Sequence, residues 1–176
     1  METREKPRVR RALAADAPAL VDLVMTLAAE RGEGDEGPAE APPDRKVLRR
    51  AVAQFVESGA SGVDAERFAL VALAADGAPA GVVSVQRLRS GLQDRPYFFV
   101  DDLVVAAAQR RRGVASALLA AVEAEARAAG CDRIELNVRA VNGPALTVIA
   151  RAGYRKAADV HLTRMLDPGA DPTRGG

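Results

Sequence analysis

Between Phe98 and Ala129 the chain passes from an apolar run, through a turn of consecutive arginines, into an Ala-rich stretch. That succession is the most informative stretch of the chain. Phe98, Phe99, Val100, Leu103, Val104 and Val105 make Tyr97 to Val105 the longest strand candidate. It is apolar on both faces, which places it inside a sheet. Gln109-Arg110-Arg111-Arg112-Gly113-Val114-Ala115 follows as a polar turn, and a helix is expected from about Val114 to Ala129. Gly130 stands where a left-handed C-terminal cap belongs. Ile134 to Val138 supplies the next strand.

The flanking sequence fits the same architecture. Arg8 to Arg11 reads as a first strand. Asp16 is expected to cap a helix with Pro18 in its first turn. Leu20, Leu23, Val24 and Leu27 give that helix an apolar stripe that ends before Gly32. Residues 32–43 hold Gly, Pro, Ala and acids and read as an acidic mobile loop. A second helix is expected from Asp44 to Glu57, with Val47, Leu48, Ala51, Val52 and Phe55 on one face. Phe68 to Leu73 and Gly81 to Gln86 flank the turn Asp76-Gly77-Ala78-Pro79 and read as a hairpin. Asn142-Gly143-Pro144 opens a short helix that closes at Gly153, and Tyr154 to Lys156 and Val160 to Met165 read as final strands. The order β-α-α-β-β-β-α-β-α-β-β describes an α/β chain with a mixed sheet and helices on its faces. One domain is expected over residues 1–166, with a frayed tail at 167–176.

Composition excludes several classes of function. Of 176 residues, 25 are basic and 24 acidic, so no overall polycationic charge points to nucleic acid. One Cys and one His supply neither a disulfide framework nor a structural zinc site, and no metal is expected. No charge-free run approaches the ~18 residues of a membrane span. A soluble cytoplasmic protein is expected.

The turn before the Ala-rich helix carries the chemistry. A helix N-terminus presents unpaired N–H groups and the positive end of the dipole, which together bind anions. Gly113 removes a Cβ where a phosphate oxygen would approach, Ala115 keeps the next turn low, and Arg110, Arg111 and Arg112 add charge that can fork onto phosphate. The spacing Arg-x-x-Gly-x-Ala alone is a weak pattern, met more often by a solvated helix cap. The Gly-Lys-Ser/Thr ending of a nucleotide P-loop and the glycines of a dinucleotide fingerprint are absent.

In this context the chain resembles the GNAT acyltransferase family. Asp101-Asp102-Leu103-Val104-Val105 is similar to the family's fourth strand, and Arg110-x-x-Gly113-x-Ala115 to its acyl-CoA pyrophosphate motif. Glu135-Leu136-Asn137-Val138, Asn142, Ala145, Leu146 and Ala152-Gly153-Tyr154 are similar to its next strand and helix. The resemblance implies a fold of about six to seven strands with four helices, and acetyl-CoA as co-substrate. It implies backbone contacts from Leu103, Val104 and Val105 to the pantetheine arm between two splayed strands. Phosphate contacts are implied from Arg110, Arg111, Arg112, Gly113, Val114 and Ala115, and a pantetheine contact from Asn142. The implied reaction is N-acetylation of a primary amine on a small molecule or peptide; an acyl-CoA-binding module without catalysis is the alternative. Homodimers are common in the family.

Acyl transfer to an amine needs a proton acceptor, stabilisation of an oxyanion and departure of a thiolate. Asp101 and Asp102 interrupt the apolar strand and are the catalytic candidates. Adjacent strand residues face opposite ways, so the two are expected to differ in role. By resemblance Asp101 is the base or the ammonium anchor; ion pairs inside the sheet are the structural alternative for both. A bulge near Leu103 or Val104 is expected to free an N–H for the oxyanion. Where many relatives carry a proton-donating Tyr, this chain has Ile149; Tyr97 or water are the available substitutes. His161 and Cys131 read as structural. The acids Glu33, Asp35, Glu36 and Glu40 form either a solvated loop or a border that attracts a cationic acceptor.

Overall fold

The computed structural model describes residues 6–31, 43–60, 62 and 65–158. The acidic segment with Glu33, Asp35, Glu36 and Glu40, the expected strand Val160 to Met165 with His161, and the tail all lie outside the described residues. Within them the order is β1 (Arg8–Arg11), α1 (Ala17–Arg31), α2 (Arg45–Gly59), β2 (Arg67–Leu73), β3 (Pro79–Ser90), β4 (Arg95–Val105), α3 (Val114–Ala128), β5 (Ile134–Leu136) and α4 (Gly143–Arg151). The described sheet has five strands in sequence order, antiparallel from β1 to β4 and parallel between β4 and β5. The parallel pair requires a crossover, which α3 provides.

Five local expectations are corrected. Asp16 does not cap α1: it ends a 3-10 turn at Ala14–Asp16, and its carboxylate accepts from Leu13 N–H at 2.7 Å and from Arg10 at 2.6 and 3.0 Å. A charged guanidinium within reach outcompetes a helix amide. On α2, Val47 is 65% exposed and Val56 is buried, so the inward stripe lies towards the helix C-terminus. β3 runs four residues past Gln86, because β4 pairs with it out to Ser90↔Arg95. Residues Tyr154 to Lys156 form no strand, and β5 stops at Leu136.

The sheet is clad on both faces. Under α3, the buried Phe68, Leu70, Val83, Val85, Phe98 and Val100 meet Val114, Leu118, Val122 and Ala126. Phe68 and Phe98 pack edge to face at 5.3 Å. Arg11 lies 4.0 Å over the Phe68 ring and pairs with Glu125 of α3. Under α1 and α2, Ala12, Leu20, Val56, Ala69, Val71, Val82 and Val104 form a smaller cluster. Gly81 sets how closely α3 seats: a Cβ there would lie 2.8 Å from the Val104 carbonyl oxygen and 2.9 Å from Val114 Cγ1. The lack of a side chain at Gly81 brings the start of α3 down onto the C-terminal end of β4.

Candidate active site

β4 loses its regular pairing at Val100. On one side β5 pairs at Phe98↔Ile134, Phe99↔Glu135 and Val100↔Leu136, and then ends. No described strand pairs that edge of β4 from Asp101 to Val105. On the other side Val85 lies opposite Val100 while Ser84 lies opposite Asp102. Asp101 is therefore an extra residue, a bulge in β4. The expected bulge near Leu103 or Val104 is corrected to this position.

The bulge also corrects the expectation that the two carboxylates face apart. An inserted residue breaks the alternation of side chains. Asp101 accepts from Gln86 Nε2 at 3.0 and 2.9 Å. Asp102 Oδ2 faces the Ser84 hydroxyl at 3.4 Å. Ser84 and Gln86 are two residues apart on β3 and share a face, so both aspartates lie on the α1/α2 side. The Asp102 N–H donates to Ser84 Oγ at 3.1 Å, so a side chain supplies the acceptor at the irregularity. Desolvation by the surrounding protein raises the Asp101 carboxyl above the usual carboxylate range. The Gln86 hydrogen bond opposes that rise, Asp102 adds to it, and Arg67 opposes it. This is the direction a proton acceptor working near neutral pH requires.

Beyond Val105 a short 3-10 turn, Ala107–Gln109, leads into the arginines. Arg111 and Gly113 both have positive φ, 62° and 83°. Arg110 Nε donates to the Val105 carbonyl at 3.3 Å, tying the turn to the strand end. Arg111 and Arg112 are exposed and make no ion pair with any described residue. Among the described residues no side chain caps α3, and a Cβ on Gly113 would meet nothing within 4 Å. The opening turn thus offers unpaired amides beside open space, which fits a phosphate group. Asn142 caps α4 as expected, its Oδ1 accepting from Ala145 N–H at 3.1 Å.

The sequence model of the acetyltransferase (GNAT) family matches residues 36–154. The chain belongs to that family. Streptothricin acetyltransferase from Streptomyces lavendulae is 34% identical over 119 residues, a match spanning 68% of this chain and 60% of that protein. A crystal structure of a probable acetyltransferase superposes with a TM-score of 0.71 at 20% identity, covering 93% of this chain and 99% of the other. An aminoglycoside acetyltransferase from an uncultured soil metagenomic sample, solved with sisomicin, gives a TM-score of 0.67 at 17% identity, covering 91% and 96%. These structural likenesses concern the fold.

Set in a GNAT fold, the departures become specific. Ile149, at the position where many relatives carry Tyr, is buried at 9% exposure and contributes no proton. Tyr97 lies four strand residues from Asp101, roughly 13 Å at the usual rise, and Arg133 stacks 4.0 Å over its ring. Tyr154 sits beside Cys131, Ile134 and Gly153; burial pushes its hydroxyl up to about 12, and that hydroxyl has no partner among the described residues. Cys131 is half-buried against the α3 core, and burial raises its thiol. Ser84, Gln86 and Arg67 were not singled out from sequence. Ser84 and Gln86 did carry a signal, as polar residues alternating with Val82, Val83 and Val85 in a strand otherwise fit for burial. Among the described residues no helix is long and apolar enough to cross a membrane.

Proposed function

We propose that the protein transfers an acetyl group from acetyl-CoA directly to a primary amine of a small molecule or peptide, with Asp101 as the base. One observation carries the reading: the bulge at Asp101 coincides with the point where β4 loses β5, and the same strand then runs into an uncapped helix N-terminus. A proton acceptor, an unpaired strand edge and an anion site therefore follow one another along a single stretch of chain.

In this reading the amides of Gly113, Val114 and Ala115 hold the pyrophosphate, with Arg110, Arg111 and Arg112 around it. The edge of β4 along Leu103, Val104 and Val105, which no described strand pairs, hydrogen-bonds the pantetheine amides as a strand would. The Asn142 Oδ1 is occupied as a cap, which leaves its amide N–H groups for the arm. Bound acetyl-CoA supplies a thioester whose C–S bond breaks as the C–N bond forms, the sulfur leaving as a thiolate. Asp101 takes the ammonium proton before attack, the second N–H proton passes to the departing thiolate as the amide forms, and Asp102 on the same face supplies a second negative charge for the cation. With Ile149 in place of a tyrosine, this reading assigns no described side chain to protonate the sulfur; such help is typically worth ~10²–10⁴-fold, so turnover is expected to be slow but real.

A second reading, an acyl-CoA-binding module without catalysis, is favoured by Ile149 alone. Calorimetry with acetyl-CoA and thiol release across an amine panel that includes streptothricin separate the two. Binding with acetylated product identified by mass is expected. Binding with no thiol release from any amine leaves the module. Gly113→Asp sets a carboxylate in the phosphate site and is expected to weaken acetyl-CoA at least about tenfold by like-charge repulsion. Unchanged affinity would refute this placement.

A further inference from the structure

On the face shared by Asp101 and Asp102, a cleft of about 90 Å3 opens between the sheet and the two N-terminal helices. Val24, Leu48, Ala51, Val52 and Phe55 form its helical wall, and Ser84 and Asp102 stand on its sheet wall. Among the described residues its lining is apolar apart from those two, and Asp102 is its one charge. Asp102 Oδ2 faces Ser84, whereas Oδ1 takes no hydrogen bond from any described residue. Phe55 also lies 5.6 Å from the Arg67 guanidinium, which acts on Asp101, so the cleft and the proposed base share a rim.

Size and charge define what fits. An apolar cavity of roughly 150 Å3 takes up benzene, so this cleft is too small for an aromatic ring and suits a short aliphatic group. A second cation or a hydroxyl pushed inside would lose water without gaining a partner. A single ammonium at the mouth meets the free oxygen of Asp102 within reach of Asp101.

We propose that this cleft is the acceptor's side-chain pocket, and that the preferred acceptor is a primary amine bearing a short aliphatic branch, its ammonium on Asp102 and its carbons between α1 and α2. The proposal rests on the acetyl-transfer reading for the chemistry but not for the binding. Methylamine, propylamine, isobutylamine and 2-phenylethylamine test it with acetyl-CoA as donor. From methylamine to isobutylamine, kcat/KM is expected to rise about fourfold per buried methylene and to fall back for 2-phenylethylamine. Ala51→Leu fills the cleft and flattens the rise; Leu48→Ala widens it and admits 2-phenylethylamine. In Asp101→Asn, isobutylamine is expected to shift the methyl NMR signals of Val24, Leu48 and Val52 saturably. Turnover that ignores carbon number, with those methyls unmoved, overturns the cleft and leaves acetyl transfer standing. Saturable methyl shifts with no thiol release from any amine support the cleft as an amine pocket and overturn acetyl transfer instead.

Discussion

Beneath α3 the sheet presents Phe68, Leu70, Val83, Val85, Phe98 and Val100, each no more than 3% exposed. Beneath α1 and α2 it presents Ala69, Val71, Val82 and Val104 together with Ser84, Gln86, Asp101 and Asp102. β3 and β4 contribute to both lists. The first face is apolar at its centre, with the Arg11–Glu125 pair at its margin, and the hydrophobic effect acts there at full strength. The second gives up part of its apolar area to a polar row, an arrangement that costs stability unless each group has a partner. The difference teaches that one pair of strands can hold the fold together on one side and present a row of polar groups on the other, because successive side chains point opposite ways. A single bulge then concentrates both acids on the polar side.

If that division of labour is correct, changes on the two faces should separate cleanly. Asp101→Asn is expected to lower kcat/KM by about 10²–10⁴-fold, the usual worth of a positioned proton acceptor, with a near-native Tm. A large fall in Tm, or full turnover at every pH, contradicts the contrast. On the opposite face, Leu118→Ala removes a fully buried side chain. Urea denaturation should report a loss of about 2–5 kcal/mol, while kcat/KM of the folded fraction stays within a few-fold.

Smaller effects refine the picture. Asp16 is held below the usual carboxylate range by its hydrogen bonds from Arg10 and from the Leu13 amide. Because the folded value is lowered, the pair stabilises the protein above pH about 4, the unfolded Asp value. That contribution fades as pH falls through the folded value. Asp16→Asn should cost about 1.5–3 kcal/mol at pH 7 and flatten the acid limb of the stability curve. Gln86→Leu is expected to be the mildest. The Gln86 hydrogen bond favours the ionised Asp101, so its removal raises the proton affinity. The acid limb of the kcat/KM profile then moves to higher pH, with Tm little changed. A profile that does not move removes Gln86 from the site.

The strand, the arginine turn and the Ala-rich helix were legible because each is a local pattern. Period-two and period-3.6 apolar spacing, together with Gly113 and Gly130, mark elements whose ends depend on near neighbours in the chain. The Asn142 cap was legible for the same reason. Asp16 was misread because its partner, Arg10, becomes a neighbour only when β1 folds back against the turn. Val47 was misread because a helical stripe of apolar residues does not say which end of the helix meets the sheet.

By itself, then, the sequence determined the family, the element order from Arg8 to Arg151 and the glycine turn at Gly113 that opens α3. All of these rest on residue identity and spacing within a few turns of chain. Only the tertiary structure decided that β5 stops opposite Val100 and that the bulge falls at Asp101. It alone decided that Ser84 and Gln86 receive the two aspartates on one face. Pairing register is a property of two strands at once, and a one-residue slip reverses which way a side chain points. No reading of β4 alone can fix it.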